Sequence, residues 1–377
     1  MILISRNDKS IFSRWWFTLD HWNLIQILLL AMIGSIIIFT AGQSIAESKG
    51  FERLYFFKNH LFYLLLSIFA MIFTSFFSIK GIIRLGIFGF VGSLILLILV
   101  MFFGADVNGS VRWLRFGMFS IQPSEFIKPF FVITTAILLS KSYKIPINIS
   151  KYLSPIIIST ILLFIIVLLL LKQPDLGMSV IIVLIWTVQL FLIGISLRWI
   201  VVLFGFLGLG LFLGYNFFLH VRRRIDCFID DSCEGMHQIN NSFKAYEAGG
   251  IIGVGPGEGV IKNKISDSHT DFIFPVIAEE FGVIFCAIIL LLSCSIVIRG
   301  LIRVFEKNNI FVLLVVCGIL TLFGLQVLLN VSVTLGLVPT TGVTFPFISY
   351  GGSSLLSASI GMGIVLALTK KSNEIVN

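Results

Sequence analysis

The chain consists largely of long apolar runs that recur along its whole length and are separated by short polar stretches. A transmembrane helix needs about 20 consecutive apolar residues, so many such runs exclude an ordinary soluble domain. Only 12% of the 377 residues are charged, whereas soluble domains carry about one quarter. We therefore predict an all-α, polytopic membrane protein.

Ten of the runs are close to the spanning length, which predicts about ten transmembrane helices. By residue number, the runs are 22–46, 56–78, 82–103, 123–140, 153–171, 176–195, 199–220, 272–298, 310–333 and 345–368. One long polar segment, 221–271, interrupts them and predicts a single long extracytoplasmic loop. The expected organisation is a cytoplasmic tail (1–21), a ten-helix membrane domain that includes this loop (22–368) and a second cytoplasmic tail (369–377).

The net charge of +8 would suit a nucleic-acid partner, but in a membrane protein an excess of Lys and Arg marks the cytoplasmic loops. Basic residues are more frequent in both tails and in the short loops that share their side. We therefore expect both termini in the cytoplasm and no nucleic-acid partner. This topology places 106–121, 172–175, 221–271 and 334–344 on the outer face.

The first outer segment carries Arg112 and Trp113 after an Asn-Gly turn signal. A lone Trp near a membrane surface is most often an interface anchor, although its arginine neighbours favour a binding role. Glu125 and Lys128 follow, three residues apart on one helical face. Two interpretations stay open for them. They form a mutual ion pair that orders the helix end, or they line a cavity in which Lys128 binds an anionic headgroup.

Three further outer features have a plain interpretation beside a functional one. Asp175 lies near a helix start, where carboxylates are stabilised; we favour a simple turn, with a contribution to the site as the alternative. The glycine-rich stretch 249–259 matches neither a dinucleotide fingerprint nor a P-loop, and we interpret it as tightly turning backbone that can approach a ligand closely. Cys227 and Cys233 lie in a compartment where a disulfide between them could persist.

The stretch 266–282, SDSHTDFIFPVIAEEFG, runs from the outer loop directly into an apolar span. Asp271 lies at this boundary, and Glu279 and Glu280 follow within the span. Ionisable residues inside a membrane are costly and are functional candidates by default. We expect one of the two glutamates to meet Lys128 and the other to brace a neighbouring helix.

The last outer turn, 337–354, is interrupted by prolines and glycines near the membrane. Irregular backbone at that depth is tolerated only where protein or a water-filled cavity covers it. Ser349, Tyr350 and Ser353 would supply hydroxyl groups to the contents of such a cavity.

These motifs resemble those of the SEDS family, the polytopic proteins of shape, elongation, division and sporulation. The matching segments are NGSVRW at 108–113, QPSEFIKP at 122–129, QPDLG at 173–177, HTDFIF at 269–274, AEEFG at 278–282 and PTTGVTFPFISYGGSS at 339–354. In the last segment, the residues Thr344-Phe345-Pro346 that precede the SYGG run resemble the sequence of the division member more than that of the elongation member. The chain departs from the family pattern at 265–267, where Ile-Ser-Asp replaces the common Leu-Pro-Glu.

The resemblance implies a peptidoglycan glycosyltransferase of the bacterial cytoplasmic membrane that polymerises lipid II on the outer face. It further implies a class B penicillin-binding transpeptidase, other divisome proteins and membrane lipid as partners. The family's essential aspartate falls on Asp271 and its functional tryptophan on Trp113. His269 is then interpreted as a neighbour that shapes the loop.

The implied reaction joins the glycan on a polyprenyl pyrophosphate to the 4-hydroxyl of lipid II. Because an α-linked donor gives a β-linked product, one inverting displacement suffices, with Asp271 as general base. Lys128, Arg112 and a divalent cation, Mg or Mn, are candidates for stabilising the departing pyrophosphate. No cofactor follows with certainty, and no metal ligands can be named.

Two other functions remain open. An elongation-type polymerase would use the same motifs, and a lipid II flippase would use the intramembrane charges as a path. A flippase needs such charges through the depth of the bilayer, whereas the distinctive polar groups cluster at the predicted outer end. A purely structural scaffold leaves the buried carboxylates unexplained.

Overall fold

The structure, a computed structural model, describes residues 10–107, 110–116, 119–142, 149–196, 214–229 and 234–371, with isolated positions between 197 and 213. It is predominantly helical. The helices are α1 (Ile11–Thr18), α2 (His21–Ser48), α3 (Tyr55–Ser75), α4 (Ile79–Phe103), α5 (Pro123–Ser142), α6 (Ile149–Lys172), α7 (Leu176–Leu192), α8 (Leu219–Ile229), α9 (Glu234–Gly249), α10 (Ile273–Phe305), α11 (Ile310–Thr334) and α12 (Gly352–Leu368).

Seven of the described helices are long and apolar enough to cross a membrane, and α7 and α12 are shorter apolar helices. The predicted polytopic helical fold is thereby confirmed. The predicted run 199–220 lies largely outside the described residues, so the total of ten spans stays a prediction. Cys233 also lies outside them, and the disulfide between Cys227 and Cys233 stays a prediction as well.

Two spans occupy the centre of the bundle. In α5 and α11, 72% and 67% of the spanning residues are buried, against 22–39% in the other long spans. Their apolar side chains pack into one continuous core with α7, α10 and α12. Helices α5 and α11 are therefore shielded from lipid, and they can carry polar side chains at less cost than the outer helices.

A small antiparallel sheet, absent from the sequence-based expectation, follows α4. Its strands are β1 (Ala105–Val107), β2 (Ser110–Phe116) and β3 (Phe119–Ile121), with β2 in the middle. Register pairs Arg115 with Ser120 and Leu114 with Ile121. The sheet covers the end of the bundle at the start of α5.

Helix α10 is broken one third of the way along its length. Gly282 has φ 81° and ψ 174°, values that are readily adopted only by glycine. The break frees backbone groups on both sides of Gly282, and the glycine-rich stretch 249–259 satisfies them. The N–H groups of Val254 and Gly255 donate to the carbonyls of Glu279 and Glu280, at 2.9 and 3.0 Å.

This docking requires the absence of side chains. A Cβ added to Gly249, Gly253 or Gly282 would lie 1.9–2.4 Å from a backbone carbonyl oxygen of the facing segment. The interpretation of 249–259 as backbone that approaches a ligand is corrected accordingly. The stretch does make a close backbone approach, and what it approaches is the broken helix.

The two described ends of the chain meet at the opposite end of the bundle from the sheet. The Lys371 N–H donates to the Thr18 carbonyl at 2.8 Å. The Asp20 carboxylate, 2% exposed, accepts from Nε and Nη2 of Arg299 at 2.8 and 2.6 Å. The described ends of the chain, near Thr18 and Lys371, therefore lie on one side of the bundle; that both termini lie there, and that this side is the cytoplasm, stays a prediction.

Candidate active site

A cavity of about 1130 Å³ opens at the end of the bundle that carries the sheet. Small-molecule sites usually occupy about 300–1,000 Å³, so this one is large. Residues of the α2–α3 connection, the sheet, the start of α5, the segment before α10 and the turn between α11 and α12 line it. These segments lie far apart in the sequence and were predicted to lie on one face of the membrane. In the structure they together form the wall of this cavity.

Asp271 is half-buried in this wall, immediately before α10. Its carbonyl accepts a hydrogen bond of 2.8 Å from Nδ2 of Asn330, and the same amide donates to the Val343 carbonyl at 2.8 Å. Asn330 is 1% exposed and lies on the central helix α11. It joins the Asp271 segment to the last outer turn, a role that the sequence did not reveal.

Gly342 brings that turn close to the carboxylate. A Cβ added to Gly342, whose φ is +73°, would lie 3.4 Å from Oδ2 of Asp271 and 3.8 Å from Nη1 of Arg112. The acid and the guanidinium therefore face the same small volume next to Gly342. A Cβ there would be in ordinary contact with both groups, and any residue other than glycine would strain the backbone at this positive φ.

Ser349 holds this turn against the Asp271 segment through two hydrogen bonds. Its hydroxyl donates to the Thr270 carbonyl at 2.6 Å and accepts from the Phe345 N–H at 2.8 Å. Ser349 is 3% exposed, so its hydroxyl is occupied in holding the turn against the Asp271 segment. Tyr350, by contrast, lines the cavity.

Ser353 is occupied in a similar way. Its hydroxyl accepts from the Gln122 N–H at 3.1 Å and lies 3.4 Å from the Ser120 carbonyl. One turn further along α12, the Ser357 hydroxyl donates to the Glu125 carbonyl at 2.7 Å. These contacts fix the sheet and the start of α5 on α12, and they hold one wall of the cavity in place.

His269 packs beneath the cavity between aromatic rings. The ring centroids of Phe56 and Tyr350 are 4.6 and 5.6 Å from that of His269, and the His269 carbonyl accepts from the Tyr350 N–H at 2.8 Å. Burial, followed by the charge of Lys49, lowers the pKa of His269 from 6.5 to about 4. The imidazole is neutral near pH 7, and its contacts support the loop-shaping interpretation.

Replacing His269 by phenylalanine should flatten the dependence of stability on acidic pH. The unfolded chain takes up this proton near pH 6.5 and the folded chain near pH 4, so the unfolded state binds more protons between these values. The neutral, buried imidazole therefore contributes roughly 3 kcal/mol to the free energy of unfolding, and this contribution is present above pH 6.5 and lost as the pH falls to 4. Thermal unfolding of both proteins at several pH values measures it, and identical slopes would contradict it.

Arg112 is directed toward the α6–α7 turn. Its Nε donates to the Gln173 carbonyl at 2.9 Å, its Nη2 donates to the Pro174 carbonyl, and its Nη1 lies 4.0 Å from Oδ1 of Asp175. Asp175 is 1% exposed and caps α7 by accepting from the Met178 N–H at 3.4 Å. Its other carboxylate oxygen accepts from the Ser124 hydroxyl at 3.4 Å. Asp175 therefore caps α7 and also contacts α5 and Arg112, and its contribution to the site stays a prediction.

Glu125 and Lys128 form a buried ion pair. Nζ of Lys128 lies 2.7 Å from Oε2 of Glu125 and 3.2 Å from Sδ of Met178. Glu125 lines the cavity, whereas Lys128 lies behind it and is 1% exposed. The geometry is that of the mutual ion pair, and headgroup binding by Lys128 would require this pair to open.

The expectation that Glu279 or Glu280 meets Lys128 is wrong. The Glu279 carboxylate accepts from the N–H groups of Ile261 and Lys262 at 2.7 and 2.9 Å. The Glu280 carboxylate pairs with Nζ of Lys262, which also donates to the Gly257 carbonyl at 3.1 Å. The physical reason is the break in α10, which brings the outer loop rather than α5 against these two carboxylates.

Lys262 was missed by the sequence reasoning. It is 3% exposed, although it belongs to a polar loop. A single Lys among polar residues carries no signal of burial. Within the described part of the chain, no group of three or more His, Cys, Asp or Glu side chains could hold a metal ion, and the divalent cation stays a prediction.

Fold and site together define a multi-pass membrane protein with a large cavity at one end of its helix bundle, and the lining of this cavity includes three carboxylates and two arginines. A family model described as "Cell cycle protein", covering FtsW, RodA and SpoVE, matches residues 21–374. The chain belongs to this FtsW/RodA/SpoVE family, and the resemblance drawn from the motifs is confirmed.

Curated relatives match over nearly the whole chain. "Probable peptidoglycan glycosyltransferase FtsW" of Caulobacter vibrioides is 36% identical over 368 residues, covering 97% of this chain and 93% of the relative. "Stage V sporulation protein E" of Bacillus subtilis is 32% identical over 357 residues, covering 93% and 96%.

Solved structures share the fold. A chain of a peptidoglycan synthase complex, described as coordinating polymerization and crosslinking, superposes with a TM-score of 0.76 at 26% identity, covering 94% of this chain and 98% of that one. The rod shape determining protein RodA of Thermus thermophilus superposes with a TM-score of 0.69 at 25% identity, covering 94% and 97%.

Proposed function

We propose that this protein is a peptidoglycan glycosyltransferase that polymerises lipid II on the outer face of the cytoplasmic membrane during septal wall synthesis. The observation that carries the proposal is the position of Asp271, half-buried in the wall of a cavity of about 1130 Å³. Family membership and the FtsW names of relatives covering more than 90% of the chain support the activity and the septal role.

Asp271 acts as the general base. It accepts the proton of the lipid II 4-hydroxyl as the hydroxyl oxygen attacks the anomeric carbon of the donor glycan. The bond from that carbon to the pyrophosphate breaks in the same step, and the polyprenyl pyrophosphate leaves with the electron pair. The cavity is large enough for the reacting sugars of the donor and the acceptor to meet beside Asp271.

The partner in this proposal is a class B penicillin-binding transpeptidase within the divisome. The supporting observation is the similarity to a chain of a peptidoglycan synthase complex. In such an arrangement the new glycan leaves the cavity next to the enzyme that crosslinks it.

The test is polymerisation of purified lipid II by the purified protein, alone and with its partner, with and without a chelator. Glycan strands are separated by length, and the partner is present in a form whose transpeptidase serine is replaced. Polymer formation that depends on this protein is the expected result. Transbilayer movement of labelled lipid II in vesicles, without any polymer, would instead favour the flippase alternative.

A further inference from the structure

We infer that Arg115 is the cation that binds the pyrophosphate of the lipid-linked donor. The inference rests on the proposed function and deepens it, because it names the residue that holds the leaving group. The sequence reasoning considered Lys128 and Arg112 for this task and passed over Arg115.

Three other cations near the cavity, Lys128, Lys262 and Arg112, are already engaged in buried contacts. Lys128 is paired with Glu125 at 2.7 Å and lies behind it. Lys262 is paired with Glu280 and is 3% exposed. Arg112 donates to two backbone carbonyls of the α6–α7 turn, and 13% of its side chain is exposed. Each would have to leave a buried partner before it could meet a ligand, and that costs several kcal/mol.

Arg115 lies on the same strand as Arg112, β2, but its side chain has different surroundings. Successive side chains of a strand point to opposite faces. On β2, Leu114 is 4% exposed and faces the bundle, whereas Trp113 and Arg115 line the cavity. Arg115 is exposed, and among the described residues its guanidinium has neither a hydrogen-bond nor an ion-pair partner. The side chain can therefore bind a ligand without breaking an existing contact.

The charge balance of the wall supports the same assignment. The charged lining comprises Arg112, Arg115, Glu125, Asp267 and Asp271. Glu125 is paired with Lys128, and Nη1 of Arg112 lies 4.0 Å from Oδ1 of Asp175. Arg115 is therefore the lining cation that offsets Asp267 and Asp271. Without Arg115 the wall would be more negative, and a polyprenyl pyrophosphate, which is an anion, would be repelled more strongly.

The guanidinium also has the appropriate shape. Arg presents planar, paired N–H donors that bind phosphate oxygens bidentately, and it stays charged at any working pH. Such charge-assisted bonds are about twice as strong as neutral ones. During transfer the same donors would stabilise the negative charge that develops on the leaving pyrophosphate.

The experiment is equilibrium binding of polyprenyl pyrophosphate to the full-length protein in detergent. We expect Arg115→Gln to weaken binding about tenfold to a hundredfold, and Arg115→Lys to weaken it less. Binding of the uncharged polyprenol should be unchanged. The matched control is Arg84→Gln, because Arg84 is exposed in the first turns of α4, at the end remote from the sheet. This control should bind like the wild type.

The outcomes separate this inference from the proposed function. If Arg115→Gln binds polyprenyl pyrophosphate as tightly as the wild type, while the wild type polymerises lipid II, the inference is overturned and the proposed function stands. If the wild type forms no polymer under any condition, but its binding of polyprenyl pyrophosphate depends on Arg115, the proposed function fails and the pyrophosphate site remains. Loss of polyprenol binding together with a lowered unfolding temperature in Arg115→Gln would also overturn the inference, because it indicates a structural role.

Discussion

Replacing Asp271 by asparagine should abolish glycan polymerisation and leave the protein folded. Asparagine has the same shape but cannot accept the proton of the attacking hydroxyl. General bases contribute about 10²–10⁴-fold to rate, so a loss of that size is expected. The carbonyl of residue 271, which accepts from Asn330, is unaffected. Strand length and initial rate with purified lipid II measure the loss, and thermal unfolding verifies the fold.

The matched control is Asp267→Asn. Asp267 also lines the cavity, is exposed and lies four residues earlier in the same segment. Its replacement removes one negative charge from the wall without removing the base, so the rate should stay within about threefold of the wild type. A fully active Asp271→Asn protein would disprove the base assignment, as would an equal loss in both variants.

The second large effect is expected at the buried pair of Lys262 and Glu280. Removing one member of a buried ion pair costs about 3–5 kcal/mol, since it leaves an uncompensated charge. Lys262→Met and Glu280→Gln should each destabilise the protein by this amount and release the glycine-rich loop from α10. The double variant should recover much of the loss, because neither charge then remains unpaired.

A double-mutant cycle of unfolding free energies measures this coupling. The control pair is Arg53 and Glu47, which are 2.6 Å apart but have 70% and 55% of their side chains exposed. Exposed pairs contribute about 0–1 kcal/mol, so Arg53→Met should have little effect. Strictly additive losses at Lys262 and Glu280 would show that the pair does not act as a unit.

The membrane spans were predictable from the sequence because a bilayer restricts the amino-acid composition of every helix that crosses it. Each helix that crosses it must be apolar over about 20 residues, and runs such as 82–103 and 310–333 nearly coincide with α4 and α11. The sheet at 105–121 was missed because its strands have three, seven and three residues. Too few residues alternate for a periodic signal, although the Asn-Gly at 108–109 is a strong hairpin signal.

The site was predictable as a set of segments but not as a set of contacts. The motifs that include Trp113, Asp271 and Tyr350 do line one cavity. The partners of Glu279 and Glu280 were not predictable, because they come from the outer loop that packs against the break at Gly282. This loop places Ile261 and Lys262 next to the two carboxylates, and the sequence carries no signal for that contact.

The joint between the glycine-rich loop, 249–259, and the break in α10 determines which segments could be exchanged between related proteins. The Val254, Gly255, Val283 and Ile284 N–H groups donate to carbonyls across the joint, so its hydrogen bonds run from backbone to backbone. Such a joint depends on few side chains. A loop transplanted from a relative therefore needs glycine at 249 and 253, and its other side chains need not match the surface of α10. The side-chain exceptions are the Glu279 carboxylate, which accepts from the Ile261 and Lys262 N–H groups, and the ion pair of Lys262 and Glu280. Lys262 and Glu280 lie on opposite sides of the joint and must be inherited together, so a functional chimera should include residues 249–282 as one unit.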